Sequence, residues 1–94
     1  MRVIAKRTLR DFWKKHSDSE QALKSWYQEA ENAEWKNTSQ IKLLYPNASF
    51  LSDNRLIFNI KGNSYRLIVK INYDYQMLWV RFAGTHAEYD RIKI

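Results

Sequence analysis

The chain of 94 residues contains no cysteine, a single proline and two glycines. The lack of cysteine excludes a disulfide framework, a thiolate metal site and a cysteine nucleophile. No run approaches the roughly 20 apolar residues that a membrane-spanning helix needs, and the first residues lack the apolar segment of a signal peptide. We therefore expect a cytoplasmic protein. No Asp, Glu and His residues have metal-ligand spacing, so we predict neither a metal ion nor another cofactor.

Charge, by contrast, is abundant and unevenly distributed, with a net value of +6. Residues 1–16 carry six cations and one acid, and residues 55–94 carry seven cations and three acids. Between them, residues 18–34 carry five acids and one lysine. The positive excess favours a polyanionic or acidic partner. Because repeats and linker-like segments are absent from the sequence, residues 1–94 are expected to form one domain with a modest core.

Residues 55–84 predict three β-strands, because β-branched and aromatic runs flank the turn signals Gly62-Asn63 and Asp74-Tyr75. Two-residue loops at both turns determine which residues face each other. The predicted pairs are Asn59–Arg66, Ile57–Ile68 and Arg55–Lys70 in the first hairpin, and Lys70–Trp79, Ile68–Arg81 and Arg66–Ala83 in the second.

Alternation along these strands predicts one apolar face and one polar face. The apolar face is expected to carry Leu56, Phe58, Ile60, Tyr65, Leu67, Val69, Ile71, Leu78, Val80 and Phe82. The polar face is expected to carry Arg55, Asn59, Arg66, Lys70, Trp79 and Arg81 around Ile57 and Ile68. The apolar face must be covered by another layer of the protein.

The first third of the chain predicts that covering layer. Residues 2–4 are typical of a short strand, and residues 6–16 predict a helix from their i, i+3, i+4, i+7 apolar spacing. Ser17-x-x-Glu20 is a capping-box pattern, which predicts a second helix beginning near Asp18. The apolar stripe of this helix is Ala22, Leu23, Trp26, Tyr27, Ala30 and Ala33. We therefore predict an α+β fold, in which an N-terminal strand and a two-helix hairpin pack on one face of a twisted antiparallel sheet.

Three further segments complete the predicted secondary structure. Thr38 is expected to cap a short helix, and residues 47–54 are expected to form a loop. Thr85-x-x-Glu88 is a second capping box, which predicts a short C-terminal helix. Gly84 is expected to let the chain turn sharply where the last strand ends.

The polar face gathers side chains suited to an RNA phosphate. Arg66 and Arg81 are predicted to be diagonal neighbours, roughly 7–8 Å apart at the backbone, so that both guanidiniums could reach one phosphate. Trp79 offers a stacking surface to a base, and His86 is suited to proton transfer. Alternatives from the residues alone are an ordinary solvated face, a non-catalytic RNA-binding module, and a protein-interaction domain that meets an acidic partner.

A family resemblance favours the catalytic alternative. The pattern Asn59-x-x-Gly62-Asn63-x-x-Arg66, then Arg81, then Thr85-His86-x-Glu88-Tyr89-Asp90, resembles the HigB group of bacterial type II toxins, which belong to the RelE-like superfamily of messenger-RNA endonucleases. The resemblance covers essentially the whole chain. It implies a helical hairpin on one side of the sheet, an active surface on the other, and metal-free cleavage of mRNA, usually on the translating ribosome. It also implies a cognate antitoxin encoded beside the toxin, which we expect to be a helix-turn-helix DNA-binding protein.

Site residues are predicted from this resemblance, from the polar face of the sheet and from the turn at Gly62-Asn63. The residues predicted to be catalytic are Arg66, Arg81, His86 and Tyr89. The residues predicted to bind RNA are Arg55, Asn59, Lys61, Lys70 and Trp79. The residues predicted to support the site are Asn63, Thr85, Glu88 and Asp90. The implied reaction is attack by a ribose 2′-hydroxyl on the adjacent phosphate, with charge stabilised by Arg66 and Arg81, and protons moved by His86 with help from Tyr89 or Lys70.

Overall fold

The structure, a computed structural model that describes residues 1–4 and 6–92, is built around a five-stranded sheet. The strands are β1 (Arg2–Ile4), β2 (Ser49–Phe50), β3 (Arg55–Ile60), β4 (Tyr65–Asn72) and β5 (Met77–Thr85), in the spatial order β1-β5-β4-β3-β2. The helices are α1 (Lys6–Lys15), α2 (Glu20–Asn32), α3 (Thr38–Leu44) and α4 (His86–Arg91). β1 runs parallel to β5, and the other neighbouring strands are antiparallel. The predicted α+β fold is confirmed.

The core lies between the apolar face of the sheet and the α1–α2 hairpin. With the exception of Phe82, all residues predicted on the apolar face belong to this buried core. Trp26 of α2 packs edge-to-face on Phe58 of β3, with ring centroids 5.3 Å apart. Leu9 of α1 and Leu23 of α2 are also buried against this core, and each such side chain contributes about 1.5–3 kcal/mol to folding. The hairpin thus covers one face of the sheet, and the site is built on the other.

The β3–β4 hairpin has the predicted register. The three predicted pairs, Asn59–Arg66, Ile57–Ile68 and Arg55–Lys70, are all observed. A slip of one residue would have placed charged side chains in the core, so the apolar pattern specifies this register strongly.

The β4–β5 hairpin follows the prediction only as far as a β-bulge. Lys70 lies opposite Trp79 as predicted, but the register then shifts before Ile68. Ile68 pairs with Phe82 rather than with Arg81, which becomes the extra residue of β5. The predicted pair Ile68–Arg81 is therefore wrong.

The two faces of β5 exchange beyond this bulge, because one inserted residue reverses the alternation. Arg66 lies opposite Gly84, so the predicted pair Arg66–Ala83 is also wrong. The prediction that Phe82 lies on the apolar face is wrong for the same reason, since it is paired with Ile68 on the polar face. Ala83 packs against the core instead.

Gly84 lies within β5, which continues to Thr85. The prediction of a sharp turn at Gly84 is therefore wrong. A Cβ atom at this position would overlap Cζ of Phe82 and would lie 2.9 Å from Cε2 of the same ring. The missing side chain is what allows the ring of Phe82 to lie across the strand.

The connection between α1 and α2 differs from the predicted capping box. Residues Ser17–Ser19 form a 3₁₀ turn, and α2 begins at Glu20. The hydroxyl of Ser19 donates a hydrogen bond of 2.6 Å to the carbonyl of His16, while the carboxylate of Glu20 pairs with Lys24 at 2.6 Å. The prediction that Ser17 and Glu20 cap this helix is wrong, because Ser19 is the N-cap residue of α2 and the carboxylate of Glu20 pairs with Lys24 instead.

The segment before β3 contains two corrections. The N-cap of α3 is Asn37 rather than Thr38, and its side chain accepts a hydrogen bond of 3.1 Å from the N–H of Gln40. The predicted loop at 47–54 contains the edge strand β2, whose two residues are both exposed and therefore show no apolar alternation. In the described part of the chain, no helix has the length and apolar character needed to cross a membrane.

Candidate active site

The site begins at the junction of β5 and α4. The hydroxyl of Thr85 accepts a hydrogen bond of 3.1 Å from the N–H of Glu88, and the carboxylate of Glu88 accepts one of 2.9 Å from the N–H of Thr85. This predicted capping box is confirmed. It starts α4 at His86, directly after the strand, and the three-residue spacing places His86 and Tyr89 on one side of the helix.

Both aromatic side chains of α4 meet Arg66 of β4. Nε of Arg66 donates a hydrogen bond of 3.2 Å to Nε2 of His86. The guanidinium carbon of Arg66 lies 4.6 Å from the centre of the Tyr89 ring, a cation–π contact. The three side chains, all half-buried, form the group that we call the Arg66 cluster.

The hydrogen bond in the Arg66 cluster indicates the tautomer of His86. A guanidinium can only donate, so Nε2 of His86 is the acceptor and the imidazole carries its proton on Nδ1. Within the described residues, the two Nη groups of Arg66 make no hydrogen bond. They can therefore bind an anion.

A second group of cations lies on the same face of the sheet. Arg55, Lys70 and Arg81 line a cleft of about 440 Å³ together with Asp53, Ile68, Phe82 and Ile92. Within it, Nζ of Lys70 lies 3.3 Å from Oδ2 of Asp53, and Nε of Arg55 donates to the carbonyl of Ser52 at 3.2 Å. We call these lining residues the cationic cleft.

The cationic cleft adjoins the Arg66 cluster. Arg66, Ile68 and Lys70 alternate along β4 and therefore share one face, and Ile92 of the cleft follows α4 directly. The predicted diagonal contact between Arg66 and Arg81 is wrong, because the bulge places Arg81 beyond the partner of Ile68. The structure thus groups Arg66 with His86 and Tyr89, and Arg81 with the other cations of the cleft.

The remaining predicted RNA-binding residues fall in different places. Trp79 is half-buried and shares the face of its partner Lys70. The amide of Asn59 donates to the carbonyl of Asn47 at 3.3 Å, which directs it away from the Arg66 cluster. Lys61 forms an ion pair of 2.8 Å with Asp18 at the helical connection and does not belong to either group.

The four predicted support residues do not all lie at the Arg66 cluster. Thr85 and Glu88 form the capping box that starts α4, and the N–H of Thr85 holds the pKa of Glu88 below its ordinary value of 4.5. Asn63 is exposed in the β3–β4 turn and Asp90 is exposed on α4. Among the described residues, neither is a hydrogen-bond partner of the Arg66 cluster.

Sequence reasoning missed three residues that line the cationic cleft: Asp53, Phe82 and Ile92. Sequence reasoning missed Phe82 because this residue continues the apolar alternation of β5 past the bulge at Arg81. The signal that could have found it was Gly84, since an isolated glycine inside a strand pattern marks a bulge or a close approach. Asp53 lies in an irregular segment that carries no periodic pattern. Considering residues 1–4 and 6–92 alone, we find no group of three or more His, Asp or Glu side chains arranged to hold a metal ion.

Comparison with known proteins adds to this geometry. Residues 19–92 match the model of the HigB toxin family, described as the RelE-like toxic component of a toxin–antitoxin system. The chain is 26% identical over 94 residues to an mRNA interferase HigB of Escherichia coli O6:H1, with 98% of this chain and 91% of the relative covered. It is also 26% identical over 93 residues to an mRNA interferase toxin HigB of Escherichia coli K12, with 96% and 88% covered.

Proposed function

The chain belongs to the HigB toxin family, the RelE-like toxic components of toxin–antitoxin systems, and we propose that it is an mRNA interferase. In this proposal residues 1–94 act as one domain in the cytoplasm and cleave messenger RNA, which arrests translation and growth. The relatives named mRNA interferase support the substrate class. The observation that carries the proposal is the hydrogen bond between Arg66 and His86 beside the cationic cleft.

The proposed reaction begins with capture of a phosphate. The Nη groups of Arg66 bind the phosphate next to the bond that breaks, and the Tyr89 ring holds the guanidinium in place. Arg81 and the other cations of the cleft hold the adjoining part of the strand. Because these donors already lie on the polar side of the sheet, they are placed to stabilise the charge that develops on phosphorus.

Proton transfer is assigned to His86. When the guanidinium of Arg66 turns onto the phosphate, Nε2 of His86 is released and takes the proton of the 2′-hydroxyl. The 2′-oxygen then bonds to phosphorus, the bond to the 5′-oxygen breaks, and the imidazolium returns a proton to that oxygen. The products are a 2′,3′-cyclic phosphate and a 5′-hydroxyl. We propose that no metal ion takes part, so the rate at which free RNA is cleaved should be the same with and without EDTA.

The proposed partners follow from charge and family. A basic face brings the protein to RNA with little sequence information, so we propose that the ribosome presents the mRNA strand. Equal rates on free and ribosome-bound mRNA would contradict that role. We also propose a cognate antitoxin, encoded by a neighbouring gene and carrying a helix-turn-helix DNA-binding pattern.

Induced expression in a bacterial host tests the function. We expect growth arrest that is relieved by Arg66→Ala and by His86→Ala. Arg7→Ala is the matched control, because Arg7 is exposed on α1, and it should leave the arrest intact. Arrest that persists in both site variants at equal protein levels would show that the Arg66 cluster is not the source of toxicity.

A further inference from the structure

The loop before β3 holds an unusual conformation that directs a carboxylate into the cationic cleft. Asp53 and Asn54 both have left-handed backbones, with φ of 64° and 57°. Residues other than glycine rarely adopt this region, although Asp and Asn tolerate it best. The loop is held by hydrogen bonds from the N–H of Leu51 to the carbonyl of Arg55 (2.8 Å) and from the N–H of Ile71 to the carbonyl of Asn54 (2.9 Å).

This carboxylate lies among cations but is not enclosed by them. Oδ2 of Asp53 lies 3.3 Å from Nζ of Lys70, and the Asp53 side chain is 73% exposed. Arg55 and Arg81 line the same cleft. A site built only to bind phosphate would gain nothing from a negative charge at this position. Besides its ion pair with Lys70, the exposed carboxylate offers acceptor oxygens to a ligand group that donates hydrogen bonds.

The other wall of the cationic cleft is apolar. The β-bulge at Arg81 turns Phe82 to this face, where it lies with Ile68 and Ile92. Aromatic and aliphatic surfaces of this kind bind unstacked nucleobases of single-stranded RNA. The volume of about 440 Å³ lies within the roughly 300–1,000 Å³ that is typical of small-ligand sites.

We propose that the cationic cleft is a nucleobase subsite that prefers guanine, and that Asp53 determines this specificity. The proposal rests on the proposed function, because the base belongs to the RNA strand held at the Arg66 cluster. The base packs against Phe82, its N1–H and N2–H donate to the carboxylate of Asp53, and its O6 accepts from the ammonium of Lys70. Arg55 and Arg81 bind the flanking phosphates.

The other bases fit the same groups less well. Adenine and cytosine each present one amino group to the carboxylate and one ring nitrogen to Lys70, so each forms one bond fewer. Uracil presents a single N–H between two carbonyl oxygens, and one of these oxygens faces the second oxygen of the carboxylate. Because a bidentate contact to a base discriminates strongly, we expect guanine to bind at least about 10-fold more tightly than uracil.

The test measures binding without cleavage. The probes are 2′-O-methyl hexauridylates in which one central residue is replaced by guanosine, adenosine or cytidine, titrated by fluorescence anisotropy. We expect the guanosine probe to bind at least about 10-fold more tightly than the all-uridine probe. Asp53→Asn should abolish this preference, since one amide oxygen replaces two carboxylate oxygens while asparagine keeps the left-handed backbone.

Asp74→Asn is the matched control, because it removes the same charge from an exposed turn residue outside the cleft lining. It should retain the full preference. Lys70→Gln, as a second cleft variant, should reduce the preference by removing the ammonium that donates to O6. Equal binding of all four probes, or a preference that survives in Asp53→Asn, would overturn the proposal.

Two further measurements distinguish an RNA subsite from a mononucleotide site, and the subsite from the nuclease. GMP should displace the guanosine probe only at concentrations far above the probe's dissociation constant; GMP binding as tight as the probe would overturn the assignment to RNA. If cleavage requires His86 but the probes bind without a preference for guanine, the subsite is refuted and the proposed function stands. A preference for guanine without any cleavage would support the subsite and count against the proposed nuclease.

Discussion

Nε of Arg66 donates to Nε2 of His86 across 3.2 Å, which links the central strand β4 to the first residue of α4. This bond occupies the nitrogen of His86 that we assign to proton transfer. It also leaves the Nη groups of Arg66 for a phosphate. When Arg66 binds the phosphate, it therefore also frees His86 to act as the general base.

The first prediction concerns that side chain. Arg66→Lys should slow RNA cleavage nearly as much as Arg66→Ala, because lysine has neither the Nε donor nor the fork that binds phosphate. His86→Ala should slow cleavage by about 10² to 10⁴ with little change in RNA affinity. Single-turnover cleavage rates and binding isotherms for the three variants check this. A lysine variant with near-normal activity would show that charge alone suffices at position 66.

The second prediction treats Tyr89 as a positioning residue. Its ring lies 4.6 Å from the guanidinium carbon of Arg66, so Tyr89→Phe should retain most of the cleavage rate. Tyr89→Leu should remove a contact of about 0.5–1 kcal/mol and lower kcat more than it raises KM. Loss of activity in Tyr89→Phe equal to that in Tyr89→Leu would instead place the phenol hydroxyl in the chemistry.

The third prediction concerns pH and the capping box. The N–H of Thr85 lowers the pKa of Glu88 below 4.5, so the folded state favours the charged carboxylate. The stability that this gives is complete above pH 4.5 and is lost as the pH falls through the lowered pKa. Glu88→Gln keeps an acceptor for the N–H of Thr85 and should flatten this part of the pH profile of unfolding free energy.

Thr85→Ala provides the companion measurement at neutral pH. Loss of this N-cap should lower the free energy of unfolding by about 0.5–2 kcal/mol, as measured by urea denaturation. If Glu88→Gln shows the same pH dependence of unfolding free energy as the wild type, the assignment to Glu88 is wrong.

The fourth prediction concerns the close approach at Gly84. A Cβ there would overlap Cζ of Phe82, so Gly84→Ala should destabilise the fold by about 1–3 kcal/mol. The double variant Gly84→Ala with Phe82→Leu should recover part of that loss, because leucine does not extend across the strand. Additive effects of the two substitutions in a double-mutant cycle would argue against the contact.

The sequence predicted strands β1, β3, β4 and β5, the helical hairpin and the C-terminal capping box because each depends on local spacing. The register of β3 with β4 was predictable since a slip would have buried charged residues. The spacing of His86 and Tyr89 after Thr85 likewise placed both side chains on one side of α4. Each of these features depends on residues that are close in the sequence or are joined by a single turn.

The bulge at Arg81 was not predictable from alternation, because Phe82 continues the apolar pattern that the bulge interrupts. A single inserted residue separated Arg81 from Arg66 and moved Phe82 into the cationic cleft. The carboxylate of Asp53 was missed for a different reason, since its position depends on two left-handed residues in an irregular loop. Long-range geometry of this kind requires the structure.

The most direct test of the proposed mechanism is the chemistry of the RNA ends. Purified protein should cleave ribosome-bound mRNA to give 2′,3′-cyclic phosphate and 5′-hydroxyl ends, as read by mass spectrometry. A single 2′-deoxy substitution at the cleaved nucleotide should prevent the reaction. Intact RNA, ends bearing 3′-hydroxyl and 5′-phosphate groups, or cleavage at the 2′-deoxy position would contradict the mechanism assigned to Arg66 and His86.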